Sequence, residues 1–179
     1  MTPELTFEQE ERLQKELIAM HLFISGGMGR SKIKFQKELF LLTLSLPKTS
    51  PLFDFVPYKF GPYSERAEAI LENNSDIFSY IKSNIRLTSR GKEYGEEALS
   101  NVNEVKREQM IRTSKIIHSI CNALTDEELM FLIYFTYGYE ENSDVFEEMY
   151  EKREEIAEKL LSKNIITHQK YNEIIRGIV

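Results

Sequence analysis

The stretch from Phe53 to Ser64, Phe-Asp-Phe-Val-Pro-Tyr-Lys-Phe-Gly-Pro-Tyr-Ser, restricts the fold of this chain more than any other. Pro57 has no N–H to give to a sheet ladder, so a strand carrying Phe53, Phe55 and Val56 belongs at a sheet edge. Gly61 can take a positive φ that a side chain opposes, and Pro62 suits the first turn of a helix. Ala67, Ile70 and Leu71 then recur at helical spacing up to Asn73. The segment therefore predicts an edge strand, a Gly-Pro turn and a short helix. Tyr58, Phe60 and Tyr63 are placed to pack against Phe35 and Leu39. Stacking of these rings on an exposed base is the other use such a cluster allows.

Around this core the chain reads as helices. Thr6 and Gln9 form a capping box ahead of an amphipathic helix over 7–24, which the glycines after Ser25, up to Gly29, bring to an end. Ser31 caps a second helix whose apolar positions, from Ile33 to Leu46, cover more than one face. A helical turn is expected over 75–82. Ile85 and Leu87 alternate as a strand, with Arg86–Thr88 expected beside the Phe53–Val56 strand as its ribbon partner. A long helix follows from Ser89, continuing past an irregularity near Asn101 to Leu124. Thr125 and Glu128 make a second capping box for an apolar helix that ends at Gly138. An acidic helix over 143–162 and a last helix capped by Thr167 complete the chain. This order predicts a mainly α fold with a small β-ribbon. Residues 1–100 would form a winged helix-turn-helix and residues 101–179 an acidic helical extension packed on it.

Two parts of this pattern carry a family resemblance. Lys34-Phe35-Gln36-Lys37-Glu38-Leu39-Phe40, followed by Tyr58-Lys59-Phe60-Gly61-Pro62-Tyr63-Ser64, resembles the Gln-Lys and Gly-Pro-Tyr pattern of YwgA-like proteins and the related Panacea antitoxin domain. Leu87-Thr88-Ser89-Arg90-Gly91 is similar to the Leu-Thr-x-x-Gly exit of many winged-helix wings. The resemblance covers roughly residues 8–100. It implies a winged-helix module without an established catalytic activity, associated with toxin neutralisation or regulation.

Charge separates the partner classes. The chain's net −6 is unevenly spread: residues 1–25 carry −3, residues 26–120 carry +4 and residues 121–179 carry −7. Whole-chain acidity argues against a general nucleic-acid coat, yet the middle segment could still present a local basic face. For double-stranded DNA, the helix Tyr63–Leu71 would enter a groove with Lys59, Tyr63, Ser64 and Arg66 near the nucleic acid, and Arg86, Arg90 and Lys92 would hold the wing to the backbone. Glu65, Glu68 and Glu72 on the same helix oppose phosphate. Dimerisation through a helix near 102–121 would accompany that role. The acids Glu140, Glu141, Asp144, Glu147, Glu148, Glu151, Glu154, Glu155 and Glu158 form either a solvated face or a docking surface for a basic protein partner such as a toxin. Glu147, Glu148, Glu151 and Glu155 are its expected contacts.

Catalysis is not expected. His21, His118 and His168 lack metal-ligand spacing, and Cys121 lies on an apolar helix face as an inert thiol. The glycines of 26–29 lack the Gly-Lys-Ser/Thr ending of a phosphate loop. No cofactor or metal is implied. The apolar runs are too short to span a bilayer, and one cysteine with an acidic N-terminus predicts a cytoplasmic protein.

Overall fold

The computed structural model describes residues 5–27, 30–46, 49–138 and 145–177. Met28, Gly29, Glu140, Glu141 and Asp144 lie outside these. The chain is mainly helical with small antiparallel sheets, and it divides into two compact units. The first comprises Met1–Phe55 and Ser64–His118, the second Val56–Tyr63 and Ser119–Val179.

In the first unit, helix α1 (Phe7–Ile24) starts at the Thr6–Gln9 capping box and stops before Gly26 and Gly27, which take φ of 82° and 64°. Strand β1 (Arg30–Ser31) leads into α2 (Lys32–Ser45), whose first turn is capped by the Ser31 hydroxyl accepting from Lys34 N at 3.2 Å. Helix α3 (Glu65–Asn73) follows a hairpin that belongs to the second unit. Strands β4 (Phe78–Ile81) and β5 (Asn84–Leu87) then form a hairpin, and β1 pairs on the far side of β5 to give the order β1-β5-β4. Helix α4 (Ser89–Ser100) starts at Thr88, and α5 (Glu104–Ala123) crosses the boundary between the units. The core gathers Ile18, Leu22, Phe35, Leu39, Leu42, Phe53 and Ile85, all wholly buried.

Several expectations are corrected here. The segment over 75–82 is not a helical turn: Phe78–Ile81 is a strand, because Lys82 and Ser83 both take positive φ (50° and 66°) and close a two-residue hairpin. Arg86 and Leu87 pair with Ser79 and Phe78 of that strand, not with the Phe53–Val56 segment. Phe53 and Phe55 are not in a strand. They pack inward, Phe55 edge-on to Phe40 at 5.3 Å. The Gly-Pro step does not start the helix either. Strand β2 (Val56–Tyr58) turns through Lys59 and Phe60 into β3 (Gly61–Tyr63), with Pro57 opposite Pro62 and Gly61 at φ 86°. Tyr63 pairs with Tyr58 at 5.2 Å, while Tyr58 and Phe60 are 50% and 42% exposed, so they are not core clamps. The long helix expected from Ser89 is two helices. Asn103 Oδ1 accepts from Lys106 N at 3.0 Å and so caps the second, which separates it from the first.

The second unit holds the β2–β3 hairpin, α6 (Asp126–Tyr137), α7 (Phe146–Glu151), α8 (Arg153–Ser162) and α9 (His168–Ile175). The Thr125–Glu128 capping box opens α6, and Gly138 closes it in the left-handed conformation (φ 64°). The acidic segment bends at Lys152 into two helices rather than running as one. Its interior is aromatic: Phe131 stacks on Phe135 at 4.2 Å, and Phe135 on Tyr150 at 6.0 Å.

Two glycines set how closely α4 approaches its neighbours. A Cβ at Gly95 would lie 2.7 Å from the Ala19 carbonyl oxygen on α1, and one at Gly91 would overlap the Ile77 carbonyl oxygen. The glycine of the Leu-Thr-x-x-Gly exit is thus required by backbone contact. Gly95→Ala is expected to destabilise the chain by about 1–3 kcal/mol and Gly91→Ala by more, read from chemical denaturation. Unchanged stability in both would show that α4 can shift away without loss.

Candidate functional site

Gln36 of the Gln-Lys pattern meets Ser64 at the start of α3. Gln36 on α2 holds both backbone groups of Ser64: its Nε2 donates to Ser64 O at 3.1 Å and its Oε1 accepts from Ser64 N at 3.0 Å. The Ser64 hydroxyl donates to Phe53 O and accepts from Ala67 N, so it caps α3. All of these groups are removed from water, where an unpaired one would cost about 1–3 kcal/mol. The clamp fixes where α3 starts and which face it turns outward. Ser64, expected as a nucleic-acid contact, is instead wholly buried and fully engaged.

The exposed charges of α3 are matched from within the first unit. Arg66 pairs with Asp54 at 2.8 Å and Glu10 at 3.3 Å. Lys32 pairs with Glu68 at 2.6 Å and Glu72 at 3.6 Å, and lies 5.1 Å from the centre of the Tyr80 ring. Glu65 is left outward. Arg90 is tied to Asp76 at 3.1 Å. Arg86 on β5 and Lys92 on α4 are exposed and have no carboxylate within 4.0 Å among the described residues. Lys59 is exposed at the tip of the β2–β3 hairpin and Tyr63 is half-buried on β3. The structure therefore brings Arg66, Arg86, Arg90 and Lys92 into the first unit and places Lys59 and Tyr63 in the second.

The acidic surface of the second unit is exposed along α7 and α8. Glu148 pairs with Lys152 at 2.6 Å and Glu155 with Lys159 at 2.7 Å, each within its own face. Glu147 and Glu151 have no cation within 4.0 Å among the described residues.

One constellation was missed by sequence reasoning: a buried ionic cluster in the first unit. Glu38 on α2 is wholly buried and forms an ion pair with Arg30 of β1. Its Oε1 lies 3.3 Å from His21 Nε2 on α1 and 3.0 Å from His118 Nδ1 on α5. Arg30 also reaches His118 Nδ1. That nitrogen can either donate to Glu38 or accept from Arg30, one at a time. The available signal was an acid in a helix whose apolar positions cover more than one face, since a buried carboxylate requires buried cations. Among the described residues no group of three His, Cys, Asp or Glu is placed to hold a metal ion, and no helix is long and apolar enough to cross a membrane.

Compared with known proteins, the chain matches no family model and no curated protein.

The cluster has a pH signature. Burial pushes the Glu38 carboxyl up, but His21 and Arg30 outweigh it and hold it below its ordinary 4.5. Burial and the Arg30 charge push His118 below its ordinary 6.5, against the pull of Glu38. A base with a depressed folded pKa loses stability as pH falls below its unfolded value. A depressed acid loses its contribution only further down. Melting temperature is expected to fall between about pH 7 and 5 through His118 and again below about pH 4.5 through Glu38. His118→Gln should remove the first decline. Glu38→Ala takes the carboxylate away from the buried Arg30 charge and is expected to cost about 3–5 kcal/mol in denaturant unfolding. A loss under about 1 kcal/mol would show the cluster to be incidental.

Proposed function

We propose that this chain is a non-enzymatic, antitoxin-like regulatory module built on a winged helix, and that it acts by binding a basic protein partner. The order α1-β1-α2-α3-β4-β5, with β1 added beside the β5 strand of the hairpin, supports the winged-helix reading. The hairpin β4–β5 is then the wing and α3 stands in the recognition position. The observation that carries the functional reading is the charge state of α3. Its one arginine is held by Asp54 and Glu10, its capping serine is buried, Glu65 faces outward, and Glu68 and Glu72 share the single cation Lys32, so the helix surface stays net acidic. Such a helix repels a phosphate backbone and suits a cationic protein surface. The acids of α7 and α8, with Glu147 and Glu151 unmatched, present the same sign.

A second reading, a DNA-binding transcriptional regulator, is favoured by Arg86 and Lys92, which stand exposed and unmatched on and next to the wing. Val105 and Ile116, 77% and 52% exposed on α5, would serve its dimer seam.

The two separate in one set of measurements. Binding to random duplex at about 150 mM salt is expected to be no tighter than the weak non-specific range, with a Kd of about 10 µM or more. A basic partner co-purified from the source cell is expected to lose at least about tenfold in affinity when Glu147, Glu148, Glu151 and Glu155 are all changed to Lys. Tight, salt-steep duplex binding that weakens in Arg86→Ala with Lys92→Ala would replace the first reading with the second.

A further inference from the structure

In the first unit, beside α1 and the start of α5, lies an apolar groove of about 310 Å³. This volume is at the lower end of the roughly 300–1,000 Å³ typical of small-molecule sites. Leu13, Leu17 and Met20 of α1 line it together with Leu46, Leu52 and Met110. Leu13 is 39% exposed, while Leu17, Met20, Leu46 and Met110 are buried.

The polar groups of the groove are unequal. Glu16 is held by Arg12 at 2.8 Å, so its charge is already matched. The Thr49 hydroxyl shares its one proton between the Thr43 and Leu46 carbonyls, at 3.0 Å each. Two groups remain. Lys106 and Gln109, both exposed, line the same groove, and neither side chain has a partner among the described residues. An isolated surface lysine means little by itself. Here, among the described residues, it is the one unmatched charge lining an apolar trough, with the amide side chain of Gln109 one turn further along the same helix.

We infer that this groove binds a medium-chain monocarboxylate, its carboxylate held by Lys106 and Gln109 and its unbranched tail lying along Leu13, Leu17 and Met20. Charge complementarity selects an acid over a neutral amphiphile. The apolar lining selects a medium-chain over a short acid, because each buried methylene tightens binding by about fourfold. The site would be a small-molecule input on the unit that carries α3, and it stands whether that helix meets protein or DNA.

The test is calorimetric titration of the full chain with octanoate, octanol and butyrate, using the wild type, Lys106→Met and Leu13→Gln. Both substitutions are at exposed positions, and circular dichroism confirms that each variant is folded. Expected are saturable one-to-one octanoate binding, no detectable butyrate binding, and octanol weaker than octanoate. Lys106→Met should weaken octanoate by about three- to tenfold without changing octanol. Leu13→Gln should weaken both. The inference is overturned by an absence of saturable octanoate binding, by equal affinity for acid and alcohol in the wild type, or by octanoate affinity that Lys106→Met leaves unchanged.

Discussion

A carboxylate with no access to water governs the first unit. Glu38 is embedded in α2 between side chains that are themselves buried, and it persists only because Arg30 and two imidazoles come to it from β1, α1 and α5. Such a cluster adds little net stability over an apolar replacement, yet removing one member leaves an unmatched charge. Its consequence is placement. Arg30 sits opposite Ile85 in the sheet, and a one-residue slip of β1 would turn its side chain to the opposite face. The ion pair therefore selects the register by which the two-residue strand β1 joins β5. With β1 fixed, Ser31 is in position to cap α2, and α2 presents Gln36 to Ser64.

That chain of contacts ends at α3. The helix is held by its first residue, and its long charged side chains are then free to find acids or bases from neighbouring segments. Asp54, in the left-handed region at φ 43°, and Glu10 draw Arg66 inward to the unit's own surface, and Lys32 covers Glu68 and Glu72. Exposed pairs of this kind contribute little to stability. Their effect is on recognition, since the cations that a phosphate backbone would use are already engaged. The proposal of a protein partner rests on this neutralisation, and the unmatched Arg86 and Lys92 are what keep DNA as the alternative.

The parts of the fold legible in the sequence are those decided by neighbours in the chain. The Thr6–Gln9 and Thr125–Glu128 capping boxes, the Ser31 and Thr167 caps and the Gly138 terminus all lie within a few residues of the helices they bound. Errors arose where tertiary context outweighed local pattern. Lys82-Ser83 has none of the Asn-Gly chemistry that announces a two-residue hairpin, so Phe78–Ile81 read as a helical turn. Phe53 and Phe55 alternate like a strand but pack around Phe40 without one. Of the candidate site, the exposed cations Lys59, Arg86 and Lys92 were legible as surface. The burial of Ser64 was not, because it depends on Gln36, 28 positions away. The Glu38 cluster joins residues 80 and 88 positions apart, a distance over which no periodicity carries information.

Everything built on Glu38 requires that its side chain be ionised inside the fold. Carbon-13 NMR of glutamate-labelled protein, titrated from neutral pH into acid and assigned with Glu38→Gln, reads this directly. The resonance of Glu38 should keep its carboxylate shift below the pH at which exposed glutamates protonate. A protonated Glu38 at neutral pH would mean that the cluster is a neutral hydrogen-bonded pocket and that the register of β1 is set by something else.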